Sequence, residues 1–266
     1  MRNKNHLYNL FSLKEKNIVI LGGTGRIGTS FAETLYNAGA NVILGDVNKT
    51  KNNFSQFEYC DVTDEKSIND FFYKLFKNKK KIHSLIYNVY SKPKNYYKRF
   101  EDYETQTWKK VIDTNLTGAY LASKKLITHF KNKKINGNII FLSSTYGLVG
   151  PNLDIYKGLV KKNLYGGNFS LTTPAVYSTT KSGLLGLSKY IATTYGKYNI
   201  RSNILSPGGV FDSQEKKFVK NYSQKVPLGR MASWTDYNGA IIYLCSDASS
   251  YMTGSNLIVD GGWTAW

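Results

Sequence analysis

The stretch "NIVILGGTGRIGTSFAETLYNAG", residues 17–39, decides the fold. Its first part, Ile18 to Leu21, is an unbroken apolar run and suits a strand buried on both faces. Gly22, Gly23, Thr24, Gly25, Arg26, Ile27 and Gly28 follow, and from Gly23 to Gly28 they read G-x-G-x-x-G. From Arg26 onward the apolar positions recur at helical spacing until Gly39 stops them. Glycines between a strand and a helix allow a tight turn and a close backbone approach. The free N–H groups at the helix start then favour a pyrophosphate. Residues 22–28 are therefore expected to cradle a dinucleotide.

Asp46 closes the next apolar run, "NVILGD" (41–46), 18 residues beyond Gly28. A carboxylate at the end of the second strand accepts hydrogen bonds from ribose hydroxyls and repels a 2′-phosphate. The expected cofactor is NAD(H) in preference to NADP(H). The Arg26 guanidinium is the feature that pulls the other way.

The alternation continues outward. "FEYCD" (57–61), "HSLIYN" (83–88), "GNIIFLSS" (137–144), "IRSNILSP" (200–207) and "SNLIVDGG" (255–262) read as further strands. Helical periodicity fills 63–76, 104–114, 115–132, 175–196 and 235–246. Strand–helix alternation predicts an α/β chain with a doubly wound, mostly parallel, seven-stranded sheet and helices on both faces. The active face then lies at the carboxyl ends of the strands. No linker or repeat divides residues 1–266, so a single domain is expected. One segment, 147–173, is Gly-rich and without clear period. A loop that long inside one domain is usually functional or mobile.

Composition narrows the classes. The formal charge is +18, from 36 basic and 18 acidic residues, but the basic residues are scattered. They suit a solvated lysine-rich surface, or a field that collects anionic small molecules, better than a nucleic-acid face. Cys60 and Cys245 imply neither a disulfide framework nor a Cys-based metal site, and no metal is expected. The start lacks an apolar signal segment, and no apolar run approaches the ~18 residues of a membrane helix. A cytoplasmic protein without a membrane partner is expected.

"YSTTKSG" (177–183) places Tyr177 and Lys181 four positions apart, neighbours on one helix face. A free phenol ionises near pH ~10. A nearby ammonium favours the phenolate and makes the pair an acid–base device.

With the glycine loop, Asp46 and Tyr-x-x-x-Lys in this order, the chain resembles the short-chain dehydrogenase/reductase family over nearly its whole length. "CDVTDEKS", "NVYS", "DTNLTG", "LSSTYG", "NILSPGG" and "YMTGSNLIVDGGW" carry the rest of the likeness. The resemblance implies a Rossmann fold and hydride transfer between a nicotinamide cofactor and an alcohol or ketone carbon. It implies Ser144 as hydrogen-bond partner of the substrate oxygen and Tyr177 as general acid–base. Lys181 would tune the phenol and hold the nicotinamide ribose, and Asn115 would support a water in the proton relay. Asp61 and Val62 would lie beside the adenine. Asn88 matches the position after strand four, and Pro207, Gly208 and Val210 match the turn under the nicotinamide. Helices near 104–132 and 175–196 resemble those that pair subunits in the family. Leu184, Leu187 and Ile191 are in excess of what the sheet needs, so a homodimer or homotetramer is expected.

The chain also departs from the pattern. Tyr87 and Val89-Tyr90 replace an Asn and an Ala-Gly, and Tyr90 is bulky beside the cofactor cleft. Ser144 and Tyr177 stand 33 positions apart instead of about a dozen, so residues 147–173 should lie over the substrate pocket. Lys157, Lys161 and Lys162 would meet phosphate there, while Tyr156, Tyr165 and Phe169 would stack on a sugar or base. The insert and the glycine loop resemble those of flagellin-modification and nonulosonic-acid oxidoreductases, which implies a phosphorylated or nucleotide-linked sugar in surface-glycan biosynthesis. A 3-oxoacyl-type ketone reductase and a non-catalytic NAD-binding subunit are the alternatives.

Overall fold

β1 (Asn17–Leu21) lies inside the sheet, with parallel neighbours on both sides: β2 (Asn41–Asp46) and β4 (Ile82–Tyr87). β3 (Gln56–Tyr59) forms one edge beyond β2. On the other side follow β5 (Gly137–Leu142), β6 (Ile200–Pro207) and β7 (Asn256–Val259). The order is β3-β2-β1-β4-β5-β6-β7 and every pairing among them is parallel. The computed structural model describes residues 4–78, 81–159 and 171–266.

Eight helices accompany the sheet among the described residues. They are α1 (Lys4–Phe11), α2 (Arg26–Asn37), α3 (Glu65–Lys77), α4 (Thr105–Ile112), α5 (Gly118–Lys133), α6 (Ala175–Tyr195), α7 (Lys216–Ser223) and α8 (Asn238–Cys245). Of these, α2, α3, α5, α6 and α8 pack on the sheet. Successive side chains of a strand point to opposite faces, and β1 shows what that does. Val19 and Leu21 enter one core with Phe71 and Phe72 of α3, Phe130 of α5 and Leu184 of α6. Ile18 and Ile20 enter the other with Phe31 and Leu35 of α2 and Ile241 of α8. All four β1 side chains are fully buried, each stabilising the fold by roughly 1.5–3 kcal/mol. Charging any of them would open a core on one face.

Helix boundaries follow local chemistry. α3 starts where the Asp64 carboxylate accepts the Lys66 N–H at 2.9 Å, the cap expected of an acidic start. α4 and α5 run into each other through a π-helical turn, Asp113–Thr117, that holds Asn115. A single wide turn inside an α-helical run is often placed at a functional position. α1 and α7 were not legible in the sequence. α1 is short and polar, and α7 lies in the segment read as loop after β6.

The helix surfaces revise one expectation. Leu184 and Ile191 are 1% and 2% exposed and face the sheet, and Leu187 packs partly against the same core. Helical spacing brings 184 and 191 round to the same side two turns apart, so they cover β-strands and are not the side chains that would meet a partner. The exposed large side chains of these helices are Tyr120 and Tyr190. No helix among the described residues is long and apolar enough to cross a membrane.

Candidate active site

A cleft of about 1110 Å³ opens above the carboxyl ends of the central strands, where the strand order turns outward from β1 and β4. It is large enough for a dinucleotide and a substrate together, since a drug-sized ligand needs roughly 300–1,000 Å³.

The glycine loop forms one wall, and its glycines divide the work. Gly22 has φ +75, and a Cβ there would lie 2.7 Å from the Asn88 carbonyl oxygen. A Cβ on Gly28 would lie 2.5 Å from Gly22 O, and one on Gly23 would lie 2.7 Å from Leu44. Gly23 and Gly28 therefore do not line the cleft as the motif suggested. They let the loop lie against β2 and the start of α2. Gly25 does line it, and a Cβ there would meet little but Gly22 O at 3.7 Å, so its missing side chain opens the cradle to a ligand. Thr24, Arg26 and Ile27 line the cleft beside it, at the N-terminus of α2. Free N–H groups, the helix dipole and an open Gly25 fit a pyrophosphate.

Asp46 stands at the end of β2 in the same cleft. One carboxylate oxygen accepts the Thr24 N–H at 3.2 Å and the other the Asn48 N–H at 3.1 Å. The carboxylate is thereby fixed, and each oxygen keeps acceptor capacity. Arg26 is ion-paired with Asp212 and lies 5.7 Å from the Trp234 ring. Its guanidinium is committed to the loop after β6, which bears on the concern that it accommodates a 2′-phosphate. Asn88 ties β4 to the loop by donating to Gly22 O at 2.9 Å. Asp61, Val62, Pro207, Gly208 and Val210 all line the cleft. Asp61 accepts the N–H and hydroxyl of Thr63, which shapes the turn after β3.

Ser144, Tyr177 and Lys181 come together from β5 and α6, although 33 residues separate the first two in sequence. Ser144 Oγ accepts the Tyr146 N–H at 3.2 Å and hydrogen-bonds the Tyr177 phenol. Lys181 Nζ donates to the Leu142 carbonyl at 2.6 Å and lies 5.9 Å from the centre of the Tyr177 ring. Its own carbonyl accepts Ser143 Oγ at 2.9 Å, which pins α6 to the end of β5. Burial disfavours both charges. It raises the Tyr177 phenol above its ordinary value, partly offset by Ser144, and lowers the Lys181 ammonium to about 8. The lowering of Tyr177 expected from Lys181 is not found: desolvation raises the phenol, and the group that lowers it is Ser144.

Asn115 does not line the cleft. It is buried behind it in the π turn, donating to Thr180 Oγ1 at 3.2 Å and accepting the Ser91 N–H at 3.2 Å. It joins α5, α6 and the loop after β4.

Aromatic residues that the motifs did not announce build the substrate end. Tyr90 and Tyr146 meet the Tyr177 ring edge-on at 5.6 and 6.5 Å. Tyr146 also packs edge-on against Trp263, which stacks on Tyr222 at 4.5 Å. The Tyr146 hydroxyl is buried and has no hydrogen-bond partner among the described residues. Lys92 lies 5.1 Å from the Tyr90 ring and 5.9 Å from the Tyr97 ring. These side chains come from the segments that follow β4, β5, β6 and β7, Tyr222 from helix α7. Their signal in the sequence was faint: an unusual density of Tyr close behind strand ends.

The first part of the insert is a roof. A 3₁₀ turn, Leu153–Tyr156, buries Ile155 against Tyr222, Val226, Met231 and Trp263. Asn221 of α7 donates to the carbonyls of Ile155 and Lys157 at 3.2 and 3.0 Å. Tyr156 lines the cleft, with its hydroxyl 2.9 Å from Thr173 Oγ1. Lys157 does not line it. Its exposed ammonium pairs with Asp154 at 2.7 Å, because the turn places both on the outer side. Lys161, Lys162, Tyr165 and Phe169 lie outside the described residues.

Comparison with known proteins agrees with this geometry. Residues 16–156 match the family model for short chain dehydrogenase, and residues 158–264 that for enoyl-(acyl carrier protein) reductase. A post-translational flagellin modification protein A from Campylobacter coli is 28% identical, over 94% of this chain and 99% of that one. A trans-4-hydroxycyclohexanecarboxylate dehydrogenase from Sinomonas cyclohexanicum is 30% identical, over 94% of this chain and 93% of that one. A crystal structure of a short chain dehydrogenase from Leptospira borgpetersenii with bound NAD+ superposes with a TM-score of 0.86. Its identity is 31%, and the match covers 99% of this chain and 97% of that one.

Proposed function

The chain belongs to the short-chain dehydrogenase family, an oxidoreductase family that uses nicotinamide cofactors, and from that premise we propose an NAD(H)-dependent enzyme acting on a polyhydroxylated, anionic substrate. The reaction class is the interconversion of an alcohol and a ketone. The nicotinamide supplies the hydride acceptor or donor when bound. In the oxidative direction the substrate C–H bond breaks with its electron pair leaving as hydride, and the hydroxyl proton passes to the Tyr177 oxygen, which must be in its phenolate form to accept it. Reduction runs the same steps backwards.

Each residue has a task that its position supports. Ser144 holds the substrate oxygen beside the phenol. Tyr177 carries the proton at its hydroxyl. Lys181, a ring's width away, opposes part of the cost of a buried phenolate and reaches the ribose side of the cleft. Asn115 holds α5 and α6 in register behind them. Asp46 favours NAD(H), because a 2′-phosphate would meet a fixed carboxylate while Arg26 is engaged by Asp212. A homodimer or homotetramer with twofold symmetry and a cytoplasmic location complete the reading.

The observation that carries the substrate class is the Tyr146 hydroxyl, buried at the substrate end without a partner among the described residues. An unsatisfied buried hydroxyl costs roughly 1–3 kcal/mol. A substrate hydroxyl would relieve that cost, whereas the acyl chain of a 3-oxoacyl reductase substrate would not. The names of the relatives point the same way. The Sinomonas protein is named for an alcohol on a ring that bears a carboxylate, and the Campylobacter protein for flagellin modification. A phosphorylated or nucleotide-linked sugar in surface-glycan biosynthesis satisfies both the hydroxyl and the charge requirement.

The test is a panel of sugar phosphates, nucleotide sugars, aldonates and 3-oxoacyl thioesters, read by the absorbance of the reduced nicotinamide. Turnover on a polyhydroxylated member supports the reading. Turnover confined to the thioesters replaces it with the acyl reductase, and NAD(H) binding without turnover on any member replaces it with the non-catalytic subunit.

A further inference from the structure

We propose that Lys92 is the specificity-determining cation of this site, reading an anionic group of the substrate, carboxylate or phosphate, away from the reacting carbon. The inference rests on the reading of the cleft as a dehydrogenase site and adds to it the residue that selects the charge.

Three cations line the cleft among the described residues: Arg26, Lys181 and Lys92. Arg26 is paired with Asp212 at the dinucleotide end. Lys181 is buried at the Tyr177 ring with its ammonium on the Leu142 carbonyl. Lys92 occupies a third place, on the loop after β4, and reaches the substrate end over two tyrosine rings. The Tyr90 ring that carries it meets the Tyr177 ring edge-on at 5.6 Å. The Tyr90 ring lies between the Tyr177 ring and the Lys92 ammonium, so a ligand that meets both must run past the edge of that ring, as an extended sugar or polyol can.

The acids that line the cleft among the described residues are Asp46, Asp61 and Asp212. Asp46 and Asp61 stand at the ends of β2 and β3, and Asp212 faces Arg26. The faces of Tyr90 and Tyr97 hold the ammonium in place through ring electrostatics. Burial disfavours its charged form, so Lys92 gains from an anion that enters beside it. A partly desolvated cation binds an anion more strongly than the lysines of the outer surface do, since the local dielectric is lower. The lysines first expected to do this sit on the insert, and Lys157 faces outward to Asp154. Lys92 supplies from the floor what the roof does not supply at Lys157.

The experiment compares a matched pair of ligands, a hexitol phosphate and the uncharged hexitol, titrated calorimetrically into the NAD+-loaded protein. Wild type should bind the phosphate at least ~10-fold more tightly. Lys92→Met should bring the two affinities to within about threefold, and Lys92→Arg should restore most of the preference. Lys94→Met, an exposed position on the same loop outside the cleft, makes the same charge change and should keep the preference. Binding that ignores the phosphate, or a preference that survives in Lys92→Met or falls equally in Lys94→Met, overturns the assignment. A hexonate used in place of the phosphate distinguishes the two anions. Turnover is scored separately. Lys92-dependent binding without hydride transfer would sink the enzymatic reading and leave Lys92 an anion site. Turnover with an unchanged preference in Lys92→Met would do the reverse.

Discussion

The Tyr87 hydroxyl donates to the carbonyl of Thr114, across the gap between the end of β4 and the π turn that holds Asn115. Gly118 makes room for it, because a Cβ there would lie 2.5 Å from the same hydroxyl. The tyrosine that stands where the family pattern has an Asn is thus a brace for the turn behind the site. Tyr87→Phe should lower the unfolding free energy by about 1 kcal/mol, the usual worth of one hydrogen bond. Gly118→Ala should cost more, since backbone and a buried ring leave nothing to yield. Urea denaturation of the two variants checks this; a Gly118→Ala protein as stable as wild type would contradict it.

Tyr177→Phe should abolish turnover while leaving NAD(H) affinity nearly intact, because it removes the proton carrier and little volume. Lys181→Ala should damage both, since the ammonium serves the phenol and the ribose side of the cleft. Cofactor titration by fluorescence alongside steady-state rates separates the two. A Tyr177→Phe enzyme near wild-type rate would refute the assignment.

NADH should bind at least ~10-fold more tightly than NADPH, about 1.4 kcal/mol. Asp46→Ala should shrink that ratio and also free the Thr24 and Asn48 N–H groups that the carboxylate now accepts. Equal affinities in the wild type would remove Asp46 as the selector.

The buried Lys181 ammonium makes a signed contribution to stability. Its folded value is lowered from 10.5 to about 8. Between those pH values the unfolded chain holds the proton and the folded one does not, so this residue's contribution to stability rises with pH across that window. Below pH 8 its penalty is constant. Wild type should therefore gain on Lys181→Met between pH 8 and 10, by up to about 3 kcal/mol. Tyr177 acts oppositely above pH 10, because its folded value is raised. Chemical denaturation at several pH values reads the difference between the two proteins; a flat difference would show that Lys181 is not desolvated.

Light scattering at micromolar concentration should give a dimer or tetramer mass. Tyr120→Glu with Tyr190→Glu, on the outer faces of α5 and α6, should reduce it. A monomeric wild type would remove the oligomer from the reading.

The sequence by itself determined the architecture and pointed to the glycine-loop end of the cleft. Ile18 to Leu21, the glycines and Asp46 sit within 30 residues of one another, and local chemistry dictates strand, turn, helix start and carboxylate in that order. The i,i+4 spacing of Tyr177 and Lys181 is equally local. What only the tertiary structure decided is everything that depends on which residue faces which. It separated Gly25, open to the cleft, from Gly23 and Gly28, which are packed beneath it. It turned Leu184 and Ile191 to the sheet and Lys157 to solvent. It also drew Tyr90, Lys92, Tyr146 and Tyr222 from the segments after three different strands into one wall, backed by Trp263 from beyond a fourth. The physical reason is that a parallel sheet returns each chain crossing to the same edge. Residues far apart in sequence meet there, with no periodicity along the chain to announce it.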